Sequence, residues 1–272
     1  ALTGNTDLQT YGTEQVQEYA PERDFTGVSV WSHLMTGSRN ARILTSMAIR
    51  GALARSGPAL LSVPQDIGLE PLPSDAPTAD TQFSAPTREP DTQLMAQAIA
   101  LINQAKRPVI FVGRGCWGLN KALSLLAETL GAPIIKALWG KDAVSDFDPY
   151  VMGGLGYLGT RASVEAIAEC DLLLLLGTSF PYVDFLPEPG AVTTLQVDQD
   201  PYQIGKRYPV TLGICADVHK VVPILLECCN RQEDRAWLQR MQQASEQWNA
   251  LMEKQARDPR TPMRPQVMAR AL

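Results

Sequence analysis

Short unbroken apolar runs alternate along this chain with stretches whose apolar positions recur every three or four residues. Runs of the first kind read as strands buried on both faces, and stretches of the second kind as helices laid against a sheet. The clearest run is Leu172-Leu173-Leu174-Leu175-Leu176, set between Asp171 and Gly177. Two more strands follow it, Thr193–Val197 leading into Asp198-Gln199-Asp200-Pro201 and Val210–Cys215 leading into Ala216-Asp217. Two others precede it, Pro108–Val112 and Pro133–Leu138. The first two helix faces are Met95, Ala98, Ile99 and Ile102 behind a capping Asp91, and Leu119, Ala122, Leu123, Leu126 and Leu130 closed by Gly131. Val164, Ile167 and Ala168 mark a third, and Val218, Val221, Val222 and Leu225 a fourth, in which Pro223 predicts a kinked or shortened helix. This alternation predicts an α/β fold whose central domain is an open, mostly parallel, Rossmann-like (DHS-like) sheet.

Part of a second α/β domain precedes it. Ala1–Asn5 reads as the end of a strand, Glu14–Tyr19 as a short helix, Val28–Leu34 as a strand, Arg42–Arg55 as a helix and Pro58–Val63 as a strand. The chain starts without methionine, and further residues are expected before Ala1. Pro71, Pro73, Pro77, Pro86 and Pro90 sit among Ser, Thr, Ala and Asp, the composition of an extended linker. Gln232–Lys254 has Trp237, Met241, Ala244, Trp248 and Leu251 at helical spacing, and Pro259–Leu272 reads as a linker with the first turns of a further domain. The expected domains are therefore 1–68, a linker at 69–90, a central domain at 91–229 and a helical linker at 230–272.

Composition narrows the function classes. A net charge of −5 without a basic stripe makes nucleic acid and anionic membrane surfaces poor partners. No apolar run approaches the ~20 residues that span a bilayer, and no signal peptide is evident, so a cytoplasmic location is expected. The five cysteines are odd in number and form no Cys-x-x-Cys pair, and His33 and His219 stand far apart, so reduced thiols and no metal site are expected.

The candidate chemistry lies at the strand ends. Gly113-Arg114-Gly115-Cys116-Trp117-Gly118 fits Gly-x-Gly-x-x-Gly after a predicted strand and before a predicted helix, where glycines let backbone approach a pyrophosphate and free N–H groups stabilise its charge. The NAD form also needs an acid about 20 residues on, at the end of the second strand. Here that strand reads Ile134-Ile135-Lys136-Ala137-Leu138. The acids lie instead at Asp198 and Asp217, either to accept ribose hydroxyls or simply to start turns and cap helices. Gly153–Thr160 is a second glycine loop.

One ordered series runs through these positions: Gly113-Arg114-Gly115, Gly140-Lys141-Asp142, Gly153–Thr160, Gly177-Thr178-Ser179-Phe180-Pro181-Tyr182, Phe185–Gly190, Asp198-Gln199-Asp200-Pro201, Ile204–Pro209 and Ala216-Asp217. It resembles the central domain of thiamine-diphosphate-dependent pyruvate oxidases and quinone-linked pyruvate dehydrogenases. Acetolactate synthases share the skeleton, but the Phe-Pro-Tyr, Leu-Pro-Glu-Pro-Gly and Arg-Tyr-Pro segments look closer to the pyruvate-oxidising branch. Ala1–Ile67 resembles the second half of that family's pyrimidine-binding domain. The resemblance implies that Gly113, Arg114 and Gly115 lie along FAD, that Gly177, Thr178, Ser179, Phe180, Pro181 and Tyr182 flank its middle, and that Asp198, Asp200, Ile204 and Asp217 belong to the same site, the acids at its adenosine end. Gln17, in Val16-Gln17-Glu18, matches a Phe-Gln-Glu segment near thiamine and substrate, with Val16 in place of the Phe.

The family's thiamine-activating glutamate and its Mg²⁺- and diphosphate-holding Gly-Asp-Gly segment have no match in these residues. The resemblance thus implies an internal piece of a homodimeric or homotetrameric enzyme that decarboxylates pyruvate with thiamine diphosphate, Mg²⁺ and FAD, the piece alone being inactive. A non-redox carboligase of the acetolactate synthase type and a stand-alone nucleotide-binding module are the alternatives.

Overall fold

A computed structural model describes residues 1–77 and 87–272, so residues 78–86 of the expected linker lie outside the described residues. The chain divides into two compact units, Ala1–Pro86 and Thr87–Leu272. The first contains β1 (Leu2–Asn5), α1 (Pro21–Asp24), β2 (Trp31–Leu34), α2 (Ala41–Arg55), β3 (Ala59–Pro64) and α3 (Gln65–Leu69). Its strands form a parallel sheet in the order β1-β3-β2 around Met35, Leu61 and Ile67. The helix expected at Glu14–Tyr19 is instead a turn. Glu14 and Gln17 have φ of 59° and 66°, a left-handed backbone that no right-handed helix accommodates. The Glu18 carboxylate closes this turn by accepting from the N–H groups of Gly12 at 2.6 Å and Gln15 at 3.2 Å.

The second unit runs α4 (Thr92–Gln104), β4 (Pro108–Val112), α5 (Asn120–Leu130), β5 (Ile134–Lys136), β6 (Val151–Gly154), α6 (Arg161–Glu169), β7 (Leu172–Leu176), β8 (Thr193–Asp198), β9 (Leu212–Cys215), α7 (Val218–Cys228), α8 (Ala236–Ala256) and α9 (Pro265–Ala271). Its six strands are all parallel, in the order β6-β5-β4-β7-β8-β9. The α/β class and the parallel sheet expected from the pattern are both present. The leucine run is explained by its two faces. Leu172, Leu174 and Leu176 join Ile110 and Val112 under α4, α5 and α7, while Leu173 and Leu175 join Val109 and Phe111 under α6 and α8. Burying each such side chain contributes ~1.5–3 kcal/mol, which fixes the register of the central strands.

Helix boundaries follow local chemistry. Asp91 caps α4 by accepting from Leu94 N at 2.9 Å, Thr160 caps α6, and Gly131, at φ 60°, ends α5. Two features differ from the sequence reading. β6 was not anticipated, because a four-residue strand ending in Gly153-Gly154 carries too little apolar signal. α7 is one helix through Pro223, whose ring lies on the exposed side. Within the C-terminal residues, α9 starts on Pro265 at a first-turn position that needs no N–H donor.

Candidate functional site

The strand order reverses between β4 and β7, and in open α/β sheets ligands bind beside the carboxyl ends of the strands at such a point. The loops gathered there are 113–118 after β4, 137–147 after β5, 155–160 after β6, 177–182 after β7 and 199–207 after β8.

The first loop uses four of its N–H groups in internal hydrogen bonds. Gly113 N donates to Leu176 O at 2.9 Å and Gly115 N to Gly177 O at 3.1 Å, while Cys116 N and Trp117 N donate back into the loop. These donors are satisfied internally, and Arg114–Cys116 forms a 3₁₀ turn, with α5 starting only at Asn120. The glycines serve close packing. A β-carbon on Gly115 would stand 2.8 Å from Gly177 Cα, and one on Gly177, which has φ of +57°, would stand 2.6 Å from Gly115 Cα. What remains outward is the Arg114 guanidinium, 5.4 Å over the Trp117 ring.

The 177–182 loop is held by β8. Gln196 is buried inside the sheet, and its side-chain amide donates to Thr178 O at 3.1 Å and Gln203 O at 3.0 Å while its oxygen accepts from Gly205 N at 2.8 Å. The Ser179 hydroxyl is 3.0 Å from Gln203 Oε1 and 3.0 Å from Arg207 Nη1, which also donates to Ser179 O. One buried amide and one guanidinium thus tie two strand-end loops together. Phe180 is 4% exposed and packs edge-on to Phe111 at 4.9 Å, so its ring belongs to the core. Pro181 is exposed, and the exposed Tyr182 ring meets the exposed Tyr157 ring at 5.6 Å.

The three acids divide by role. Asp217 caps α7, accepting from His219 N at 2.9 Å, and Asp200 caps a 3₁₀ turn, accepting from Tyr202 N at 3.0 Å. Asp198 caps no helix. It sits half-buried at the end of β8 with one oxygen accepting from Asp200 N at 2.9 Å. Burial raises its carboxyl above the ordinary value against that N–H, and the Asp200 charge adds to the rise. Ile204 packs against β9, where a β-carbon on Gly213 would overlap its side chain. Gln17 is exposed and belongs to the other unit.

Gln196, Arg207 and Lys136 were missed in the sequence. The two buried ones carry a recognisable signal, a long polar side chain between apolar neighbours in Leu195-Gln196-Val197 and Ile135-Lys136-Ala137. Among the described residues no three His, Cys, Asp or Glu side chains gather where a metal ion could be held, and no helix is long and apolar enough to cross a membrane.

Residues 95–225 match the family described as thiamine pyrophosphate enzyme, central domain. These residues belong to the thiamine pyrophosphate enzyme family. A Bacillus subtilis protein named as thiamine pyrophosphate-containing, YdaP, is 35% identical over 99% of this chain and 47% of its own length. Pyruvate oxidase of Lactiplantibacillus plantarum is 27% identical over 75% of this chain and 34% of its own length. Acetolactate synthase 2 of Zea mays is 28% identical over 80% and 35%. A solved structure described as a thiamin diphosphate-dependent enzyme from Mycobacterium smegmatis shares the fold. Its TM-score is 0.69 at 23% identity, covering 86% of this chain and 46% of that one. The chain thus spans about half the length, or less, of these relatives.

The strand-end residues of this thiamine pyrophosphate enzyme domain fit a nucleotide such as FAD. A half-buried carboxylate suits ribose hydroxyls, two guanidiniums suit phosphates, and the exposed Tyr157 and Tyr182 rings suit a planar ring. The described residues offer Mg²⁺ no ligand cluster.

Proposed function

We propose that residues 91–229 are the FAD-holding middle domain of a thiamine-diphosphate-dependent enzyme that decarboxylates pyruvate. The carrying observation is Asp198, a half-buried acid that caps no helix and lies on the β8 side of the switch point. Asp198 accepts hydrogen bonds from the ribose, Arg114 and Arg207 orient the diphosphate, and the 177–182 loop flanks the middle of the ligand. FAD, when bound, supplies a two-electron acceptor. Gln196 keeps the 177–182 and 199–207 loops in register, so the site is preorganised. Gln17 is assigned to the substrate side, thiamine diphosphate and Mg²⁺ to residues outside this chain, and the assembled enzyme to a homodimer or homotetramer in the cytoplasm. The expected domain division, 1–68, 69–90, 91–229 and 230–272, is part of the same reading.

A second reading, a non-redox carboligase in which FAD is structural, is supported equally by the 28% identity to acetolactate synthase. Calorimetric titration of the chain with FAD and with NAD⁺ tests what both share. FAD binding without NAD⁺ binding supports it, and absence of FAD binding refutes it. Bleaching of the flavin band by pyruvate in the complete enzyme, with thiamine diphosphate and Mg²⁺ present, supports the oxidase, and an unbleached flavin with carboligase product supports the second reading.

A further inference from the structure

β5 ends on Lys136, whose side chain is 2% exposed. An ammonium that deep must be paired, because an unpartnered buried charge is strongly unfavourable. Its Nζ donates to Lys141 O at 3.1 Å and Val144 O at 2.8 Å and pairs with the Asp146 carboxylate. The other Asp146 oxygen pairs with Lys141 Nζ. Burial pushes the Asp146 carboxyl up, but hydrogen bonds and charge from both lysines outweigh it and leave the group below its ordinary value. All the acceptors of Lys136 lie in the segment 141–146, so one ammonium closes the loop that follows its own strand.

The loop is also fitted to its neighbour. Ala143 and Val144 are buried, and a β-carbon on Gly140 would stand 2.9 Å from Gly113 Cα. Trp117 Nε1 donates to Trp139 O at 3.0 Å, joining the loop after β5 to the loop after β4. The outward side exposes Leu138, Trp139 and Phe147, the last at 98%. In dinucleotide-binding sheets the end of the second strand carries an acid for the ribose. Here that place holds a cation directed into its own loop.

We propose that Lys136 is a positioning residue that clamps residues 138–147 into a fixed wall of the switch-point site. The proposal rests on the FAD reading for what the wall faces, but not for the clamp itself. Removing the ammonium leaves Lys141 O and Val144 O without their donor and Asp146 with Lys141 alone, so the loop loosens while β7 and β8 keep their packing.

The test uses the 272-residue chain and the variants Lys136→Met, Lys136→Arg and Asp146→Asn. Amide hydrogen exchange across 138–147 is measured against exchange in β7, and FAD affinity is measured by quenching of flavin fluorescence. Lys136→Met is expected to raise exchange in 138–147 at least tenfold with β7 unchanged, and to weaken FAD about tenfold. Lys136→Arg, which keeps a cation, is expected to recover most of both effects, a rescue that loss of packing alone does not produce. Asp146→Asn, which keeps an acceptor oxygen but removes the counter-charge of Lys136, is expected to fall between, and decides the matter if Lys136→Met does not fold. Unchanged loop exchange in a folded Lys136→Met overturns the clamp. A loosened loop with unchanged FAD affinity overturns the wall. If the unaltered chain binds no FAD, the nucleotide reading fails, and the exchange measurements still decide the clamp.

Discussion

Gly177→Ala tests the packing that brings the loops after β4 and β7 together. Gly177 has a left-handed backbone, and a β-carbon there would lie 2.6 Å from Gly115 Cα, with Gly115 C and N both at 3.0 Å. The left-handed conformation costs an L-residue ~1–2 kcal/mol. The overlap is with backbone on both sides, so no side chain can swing away, and forcing a methyl group into such packing costs ~1–3 kcal/mol. Together the loss is ~2–5 kcal/mol, a large part of the stability of a typical domain. Gly115→Ala carries the overlap without the left-handed penalty and is expected to lose ~1–3 kcal/mol. Both changes act on one contact, so the double variant should lose less than the sum of the two.

Urea unfolding followed by far-ultraviolet circular dichroism is the assay. With a slope of ~1–3 kcal/mol/M, Gly177→Ala should lower the midpoint by at least ~0.7 M without changing the slope. A loss below ~1 kcal/mol in Gly177→Ala, or strict additivity in the double variant, would refute the contact. The same geometry shows that Gly115→Val cannot report ligand binding cleanly, because its side chain would first meet Gly177.

Asp198→Asn separates binding from folding. The Asp198 carboxyl lies above its ordinary value near 3.8, so the folded chain holds this proton more tightly than the unfolded one, and stability falls as pH rises from that value through the folded one. The variant should therefore be at least as stable as the native chain at neutral pH, yet lose ~1.5–3 kcal/mol of FAD binding, roughly ten- to hundredfold. Calorimetry that finds unchanged affinity would make Asp198 a turn residue only. Burial lifts the Cys116 and Cys170 thiols to about 12 and the Cys229 thiol to about 11. Iodoacetamide at mildly alkaline pH should then modify the exposed Cys228 first and spare Cys116, Cys170 and Cys229 until the chain unfolds. Mass mapping that finds Cys116 labelled in the folded chain would contradict its burial.

The sequence by itself determined the α/β class, the strands β4, β7, β8 and β9, the caps at Asp91 and Gly131, and the relation to thiamine pyrophosphate enzymes, though not the branch. Those features depend on neighbours in the chain: an unbroken leucine run, apolar residues three and four apart, a capping acid, an ordered set of loop motifs. It could not determine the work done by the glycines. The Gly-x-Gly-x-x-Gly pattern is the same whether the missing side chains make room for a pyrophosphate or for another loop. Only the pairing of β4 with β7 sets Gly115 against Gly177 and directs the Gly113 and Gly115 N–H groups to the β7 side. The fates of Asp198 and Asp217 were also undecided along the chain, since both are acids after strands. Asp217 has the N-terminus of α7 to cap, whereas Asp198 is followed by an irregular turn and keeps a half-buried carboxylate. Lys136 and Gln196 are buried although they break the apolar pattern of β5 and β8, whereas Val164 and Leu251, read as apolar-face positions, are exposed. Partners that satisfy a buried ammonium or amide come from segments 5 to 18 residues away, through loops whose course periodicity does not encode.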